Sequence, residues 1–145
     1  MITVTALPFA SLAPATAYAV WKLRQDVFVV EQQCPYGDLD GRDDEPGTRH
    51  VVLRDDDTVL GYARVLDDDR AVWRIGRVAL APDARGRGLA DVVMETALQV
   101  CPDRDVVLDA QAPLVGWYES LGFVVSGPEF LDDGIPHLPM RRAAG

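Results

Sequence analysis

The sequence predicts an α+β fold: a mixed, mostly antiparallel β-sheet flanked by helices, in the order β-α-β-β-β-α-β-α-β-β, as a single domain over residues 1–145. Three observations predict it. Apolar residues alternate with a period of two in several short runs, they recur at three- and four-residue steps in others, and Asp, Gly and Pro separate the runs. The 145 residues suit one domain, and a chain of this size buries roughly 70% of its unfolded surface without disulfides or metals.

Ile2 and Val4 alternate with Thr3 and Thr5, a first strand ending near Pro8. From about Pro14 the period lengthens: Val20, Leu23, Val27 and Val30 share one helix face, and Pro35 and Gly37 end that helix. Arg24, Phe28 and Glu31 form a second stripe at i, i+4 and i+7, which reads first as a solvated edge with an internal salt bridge. The loop Cys34–Gly47 carries Asp38, Asp40, Asp43, Asp44 and Glu45 against Arg42, and reads either as a solvated acidic loop or as an attractive wall for a cationic substrate. It is not a calcium loop of the EF-hand type, since Asp43 and Arg49 stand where Gly and Glu are required. His50–Leu53, Val59–Leu66 and Ala71–Leu80 form an antiparallel meander whose turns are Asp55–Asp57 and Asp67–Asp69. A helix follows over Gly88–Val100, then a strand at Val106–Leu108, a helix from about Pro113 to Leu121, and strands at Phe123–Val125 and His137–Arg141.

The 48% apolar and 26% charged content excludes collagen-like, mucin-like and disordered classes. A net charge of −9 repels phosphate, so neither nucleic acid nor an anionic membrane is an expected partner. Cys34 and Cys101 form no metal-binding or disulfide framework, and no metal site is expected. The Ala-rich run Ala10–Ala19 lacks the basic residues that open a signal peptide, because Lys22 is the first cation, and no apolar run could span a bilayer. The expectation is a soluble, cytoplasmic protein, and a homodimer is compatible with it.

An anionic ligand would need a local basic site, and residues 74–88 supply one. Arg74, Arg77, Arg85 and Arg87 against Asp83 give this window +3. There a strand runs through Gly86 and Gly88 straight into a helix, so backbone amides and a helix dipole converge on one spot. The Walker A pattern fails for want of Gly-Lys-Ser/Thr, and the dinucleotide fingerprint keeps only its first two glycines, with Asp91 in place of the third. Arg-x-x-Gly-x-Ala fits at Arg85, Gly88 and Ala90.

That pattern resembles the pyrophosphate loop of the GNAT superfamily of N-acetyltransferases. Trp117-Tyr118-Glu119-Ser120-Leu121-Gly122-Phe123, with Tyr118 lying 30 residues after Gly88, is similar to the superfamily's Tyr-Glu-x-x-Gly-Phe segment. Lys22–Gln32, Ile75–Ala79 and Asp133–His137 are similar to the ElaA-like subfamily. The resemblance covers the whole chain and implies the GNAT fold and an acyl-CoA-dependent N-acyltransferase. Acetyl-CoA would be the acyl donor, and a primary amine of a small molecule or peptide the acceptor.

It further implies that the backbone of Val78, Ala79 and Leu80 holds the pantetheine arm, and that Arg85, Gly86, Arg87, Gly88, Leu89 and Ala90 hold the pyrophosphate. Tyr118 would be the general acid that protonates the departing thiolate. Many relatives carry a carboxylate base on the fourth strand, where this chain has Arg74 and Arg77. Glu31, His50 and His137 are then the candidates for the base. Glu31 ranks first because Arg24 and Phe28 could join it in a substrate wall, and a proton relayed through water is the alternative. Arg24, Phe28, His50 and His137 are the candidate acceptor-site residues. Two other readings compete: a non-catalytic acyl-CoA sensor, motivated by the missing carboxylate, and an enzyme of the acyl-homoserine-lactone-synthase type.

Overall fold

The computed structural model describes residues 1–145 as one eight-stranded sheet, ordered β1-β2-β3-β4-β5-β8-β6, with β7 paired to β8 outside that path. Strands β1 (Ile2–Leu7), β2 (Arg49–Asp55), β3 (Thr58–Asp68) and β4 (Val72–Leu80) are antiparallel neighbours. β5 (Val106–Gln111) lies parallel to β4, and β8 (Ile135–Arg142) pairs antiparallel with β5, β6 (Val124–Val125) and β7 (Phe130–Asp132). The predicted meander is present: β3 reaches β4 through Asp69 and Arg70, both at positive φ.

Residues alternate between the two faces of each strand, so the sheet has two apolar layers. On one face Val51, Leu53, Ala63, Val65 and Ile75 pack against α2 (Leu89–Gln99) through Val93, Met94 and Ala97. α3 (Val115–Ser120) joins that layer through Tyr118. On the other face Val52, Tyr62 and Ala79 receive Val20, Leu23 and Val27 from the first helix. No helix is long and apolar enough to cross a membrane. Both cysteines are free and buried, and burial pushes the Cys101 thiol up to about 12.

Three expectations are corrected. The first helix is α-helical only over α1 (Pro14–Arg24) and continues as a π-helix over Gln25–Glu31, with i→i+5 bonds such as Gln32 N–H to Val27 O. The wider turn carries Val30 off the buried face, and it is 61% exposed rather than in the core. The chain also has one strand more than predicted: Phe130–Asp132 folds back on Ile135–His137 through Asp133 and Gly134, at φ 49° and 80°. Asp-Gly is a strong two-residue hairpin turn, so the signal was in the sequence.

The acidic loop is solvated only in part and is not an open acidic wall, because Asp38, Asp40 and Asp43 turn onto arginines of the fold while Asp44 stays exposed. Arg24, fully buried, donates to Asp38 at 2.9 Å and to Asp43 at 2.7 Å. Arg64 grips Asp40 with two bonds of 2.8 Å, and Arg77 donates to the Asp38 carbonyl at 3.1 Å. The Arg64 bonds hold the Asp40 carboxyl well below the usual range against the opposing effect of burial. Arg24→Ala would strand two carboxylates without their cation, which typically costs about 3–5 kcal/mol. A denaturant melt should show that loss, and a midpoint within error of wild type would contradict the clamp.

Candidate active site

The site arises where β4 and β5 part. They pair only at Trp73–Val106 and Arg74–Val107, so beyond Arg74 the backbone of β4 faces a gap instead of a neighbour. A bulge re-aims that backbone: Tyr62 pairs with Ala79 and Arg64 with Gly76, which sets Arg77 and Val78 against Ala63 alone. Arg77 is held there at φ 54°, a left-handed conformation that non-glycine residues seldom adopt. The gap is a cavity of about 430 Å³, walled by Val78, Ala79 and Leu80 on one side and by Leu108, Asp109 and Gln111 on the other. Gln111 donates to Gln32 at 3.3 Å, tying β5 to the residue just past the π-helix.

β4 leads into the glycine turn. Gly86 and Gly88 adopt φ 73° and 74°, the left-handed region that favours glycine, and a Cβ on either would meet nothing within 4 Å. No side chain caps α2, and no amide from Gly86 to Ala90 donates to a loop or cap carbonyl. These free amides and the positive end of an 11-residue helix form an anion site.

The +3 read from the sequence is largely neutralised in space. Arg74 pairs with Asp68 at 2.9 Å, Arg77 with Asp38 at 3.0 Å, and Arg85 with Glu31 at 2.6 Å, which leaves Arg87 without an ion pair. Sequence spacing could not reveal those partners, which come from the first helical segment, the acidic loop and β3.

Tyr118 reaches the cavity from α3, its ring against Trp117 and Phe123. Its hydroxyl makes no hydrogen bond within the protein, and burial pushes its pKa up to about 12. Asp91, which the sequence offers only as a failed glycine position, accepts the Trp117 indole N–H at 2.7 Å and ties α3 to the start of α2.

Of the other candidates, Glu31, Phe28 and His137 line the cavity and Arg24 and His50 do not. Arg24 is committed to the acidic loop, so it leaves the acceptor-site set. His50 is sealed beneath Trp21, its Nε2–H donating to the Asp43 carbonyl at 2.8 Å and its Nδ1 accepting from the Tyr62 hydroxyl, so it has no lone pair for an acceptor. Glu31 faces the cavity, but both its oxygens receive Arg85, whose hydrogen bonds lower the carboxyl pKa.

Burial lowers the His50 pKa below 6.5, so folding favours its neutral form. That stability is complete above the unfolded value and is lost as pH falls from there through the lower folded value. Wild type should therefore lose Tm more steeply than His50→Gln below about pH 6.5. Equal slopes would contradict this.

A family model described as an acetyltransferase (GNAT) domain matches residues 19–144. The chain belongs to the GNAT acetyltransferase family. Protein ElaA of Escherichia coli is 40% identical over 142 residues, 94% of this chain and 93% of that protein. UPF0039 protein Rv2851c of Mycobacterium tuberculosis is 46% identical over 129 residues, 86% of this chain and 83% of that protein. Among solved structures, an acyl-CoA N-acyltransferase from Pseudomonas aeruginosa superposes with a TM-score of 0.93 at 42% identity, covering 99% of this chain and 100% of its own. The ElaA-like GNAT fold read from the sequence is therefore the fold found.

Proposed function

We propose that this protein transfers an acyl group, most simply acetyl, from acyl-CoA to a primary amine of a small molecule or peptide, by direct attack in a ternary complex. The observation that carries the reading is the opened edge of β4: that edge, its bulge, Arg85 and Tyr118 line one cavity, and the chain runs on from Arg85 directly into the glycine turn that opens α2. Val78–Leu80 offer strand-like partners to the amides of the pantetheine arm. Gly86–Ala90 offer amides to the pyrophosphate, with Arg87 beside them. As the C–N bond forms and the C–S bond breaks, Tyr118 gives its proton to the departing sulfur. A phenol near 12 stays protonated at neutral pH, so it is available as a donor.

The Glu31 carboxylate takes the place next to Arg85 that a phosphate would compete for. Glu31→Gln should tighten acetyl-CoA binding by about two- to fivefold at low salt, the size expected of an exposed ion pair, with the gain shrinking as salt is added. Weaker binding would show instead that Glu31 positions Arg85 for the donor.

The reading is tested by incubating the protein with acetyl-CoA and a panel of primary amines while following free thiol and acetylated product. Amine-dependent thiol release supports it. Acetyl-CoA binding without turnover across the panel would favour the sensor.

A further inference from the structure

The acyl transfer proposed above leaves open which group takes the proton from the acceptor ammonium. We propose that His137 is this general base, acting through Nε2. The inference rests on that reading and on four observations.

First, the tautomer is fixed by a carbonyl. Nδ1 lies 2.7 Å from the Ile135 carbonyl oxygen, which can only accept, so neutral His137 carries its proton on Nδ1 and its lone pair on Nε2. Second, that lone pair is free. Nε2 has no partner in the protein, yet the sealed polar atoms without partners are confined to Arg54, Arg64 and Arg77, so Nε2 stays open to the cavity the residue lines. Third, the ring is braced for one orientation: His137 is only 9% exposed and stacks on Phe130 at 5.8 Å.

Fourth, the sheet places it opposite the acid. His137 pairs with Gln111, and directly paired residues share a face. Leu108, Ala110 and Met140 point into the α2 layer, so by alternation Asp109, Gln111 and His137 belong to the α1 face. Tyr118 comes from α3 on the other side. An amine entering from the α1 face meets the base, and the sulfur leaves toward the acid.

Other groups at the cavity are less suited. Glu31 is spent on Arg85, Asp109 is 3.6 Å from Arg74, and the Tyr36 hydroxyl donates to Asp38. Asp132 and Asp133 are exposed at the tip of the β7–β8 hairpin, with no neighbour that fixes their carboxylates toward the gap between β4 and β5. In the step, one ammonium proton passes to Nε2 and on to solvent, and the nitrogen lone pair attacks the thioester carbon. The second proton leaves the nitrogen as the amide forms and balances the one Tyr118 gives to sulfur, so the products are the amide and free thiol.

The test compares two nucleophiles at pH 7 in wild type and His137→Asn, whose side-chain amide can still donate to the Ile135 carbonyl. Propylamine is protonated at this pH and needs the base, whereas hydroxylamine is already neutral and does not. The expected result is a fall of about 10²-fold or more in kcat/KM for propylamine and a clearly smaller fall for hydroxylamine, each rate taken above the uncatalysed background. Added imidazole should restore propylamine turnover in His137→Gly. Equal losses for both nucleophiles, or none for either, would overturn the assignment, whether or not the variant binds acetyl-CoA normally. If wild type itself acetylates neither nucleophile while binding acetyl-CoA, the transferase reading falls and takes this one with it.

Discussion

Tyr118→Phe should lower kcat by about 10²-fold or more with little change in acetyl-CoA affinity, because it removes a proton used in the transition state and keeps the ring. The ring is held by Trp117 and Phe123, and the hydroxyl bonds to nothing in the protein, so its loss leaves no buried partner stranded. The leaving group sharpens the test. An acyl donor with a more acidic thiol needs the proton less, so the variant should recover part of its lost rate with such a donor. Wild-type turnover in the variant would remove the general-acid role. A defect equal for all donors would mean that Tyr118 only positions the thioester.

Gly88→Asp should abolish acetyl-CoA binding and leave the fold intact. Asp tolerates the left-handed conformation better than most residues, and its Cβ meets no neighbour within 4 Å. The carboxylate instead enters the cradle of amides and the positive end of α2, satisfying them internally and repelling the pyrophosphate. Gly88→Asn has nearly the same shape without the charge, so its loss should be smaller and less sensitive to salt. Unchanged affinity in Gly88→Asp would remove the donor from this turn.

What the sequence made legible, and what it hid, divides along local and non-local lines. The meander and the glycine turn were readable because their signals are local: paired Asp turns, a two-residue period, and glycines at the mouth of a helix. The β7–β8 hairpin was equally local, in Asp133 and Gly134, and the three-residue β7 was too short to show a period. The fate of the charges was not local. Arg24 looked like one member of a solvated stripe, and only the folded acidic loop, returning 14 and 19 residues later, turns it into a buried clamp. The π-helix broke the spacing that had joined Arg24, Phe28 and Glu31. His50 and His137 were indistinguishable as strand residues. Their difference lies in which ring nitrogen meets a carbonyl and whether the other is sealed by Tyr62 or left open to the cavity.

Whether acyl-CoA lies in the opening between β4 and β5 is measured directly by a crystal structure with bound CoA. The pantetheine arm should lie along Val78–Leu80, the pyrophosphate over the amides of Gly86–Ala90, and the sulfur within hydrogen-bonding reach of the Tyr118 hydroxyl. CoA bound elsewhere on the molecule, or a sulfur that lies away from Tyr118 with the phosphates off the glycine turn, would contradict this placement.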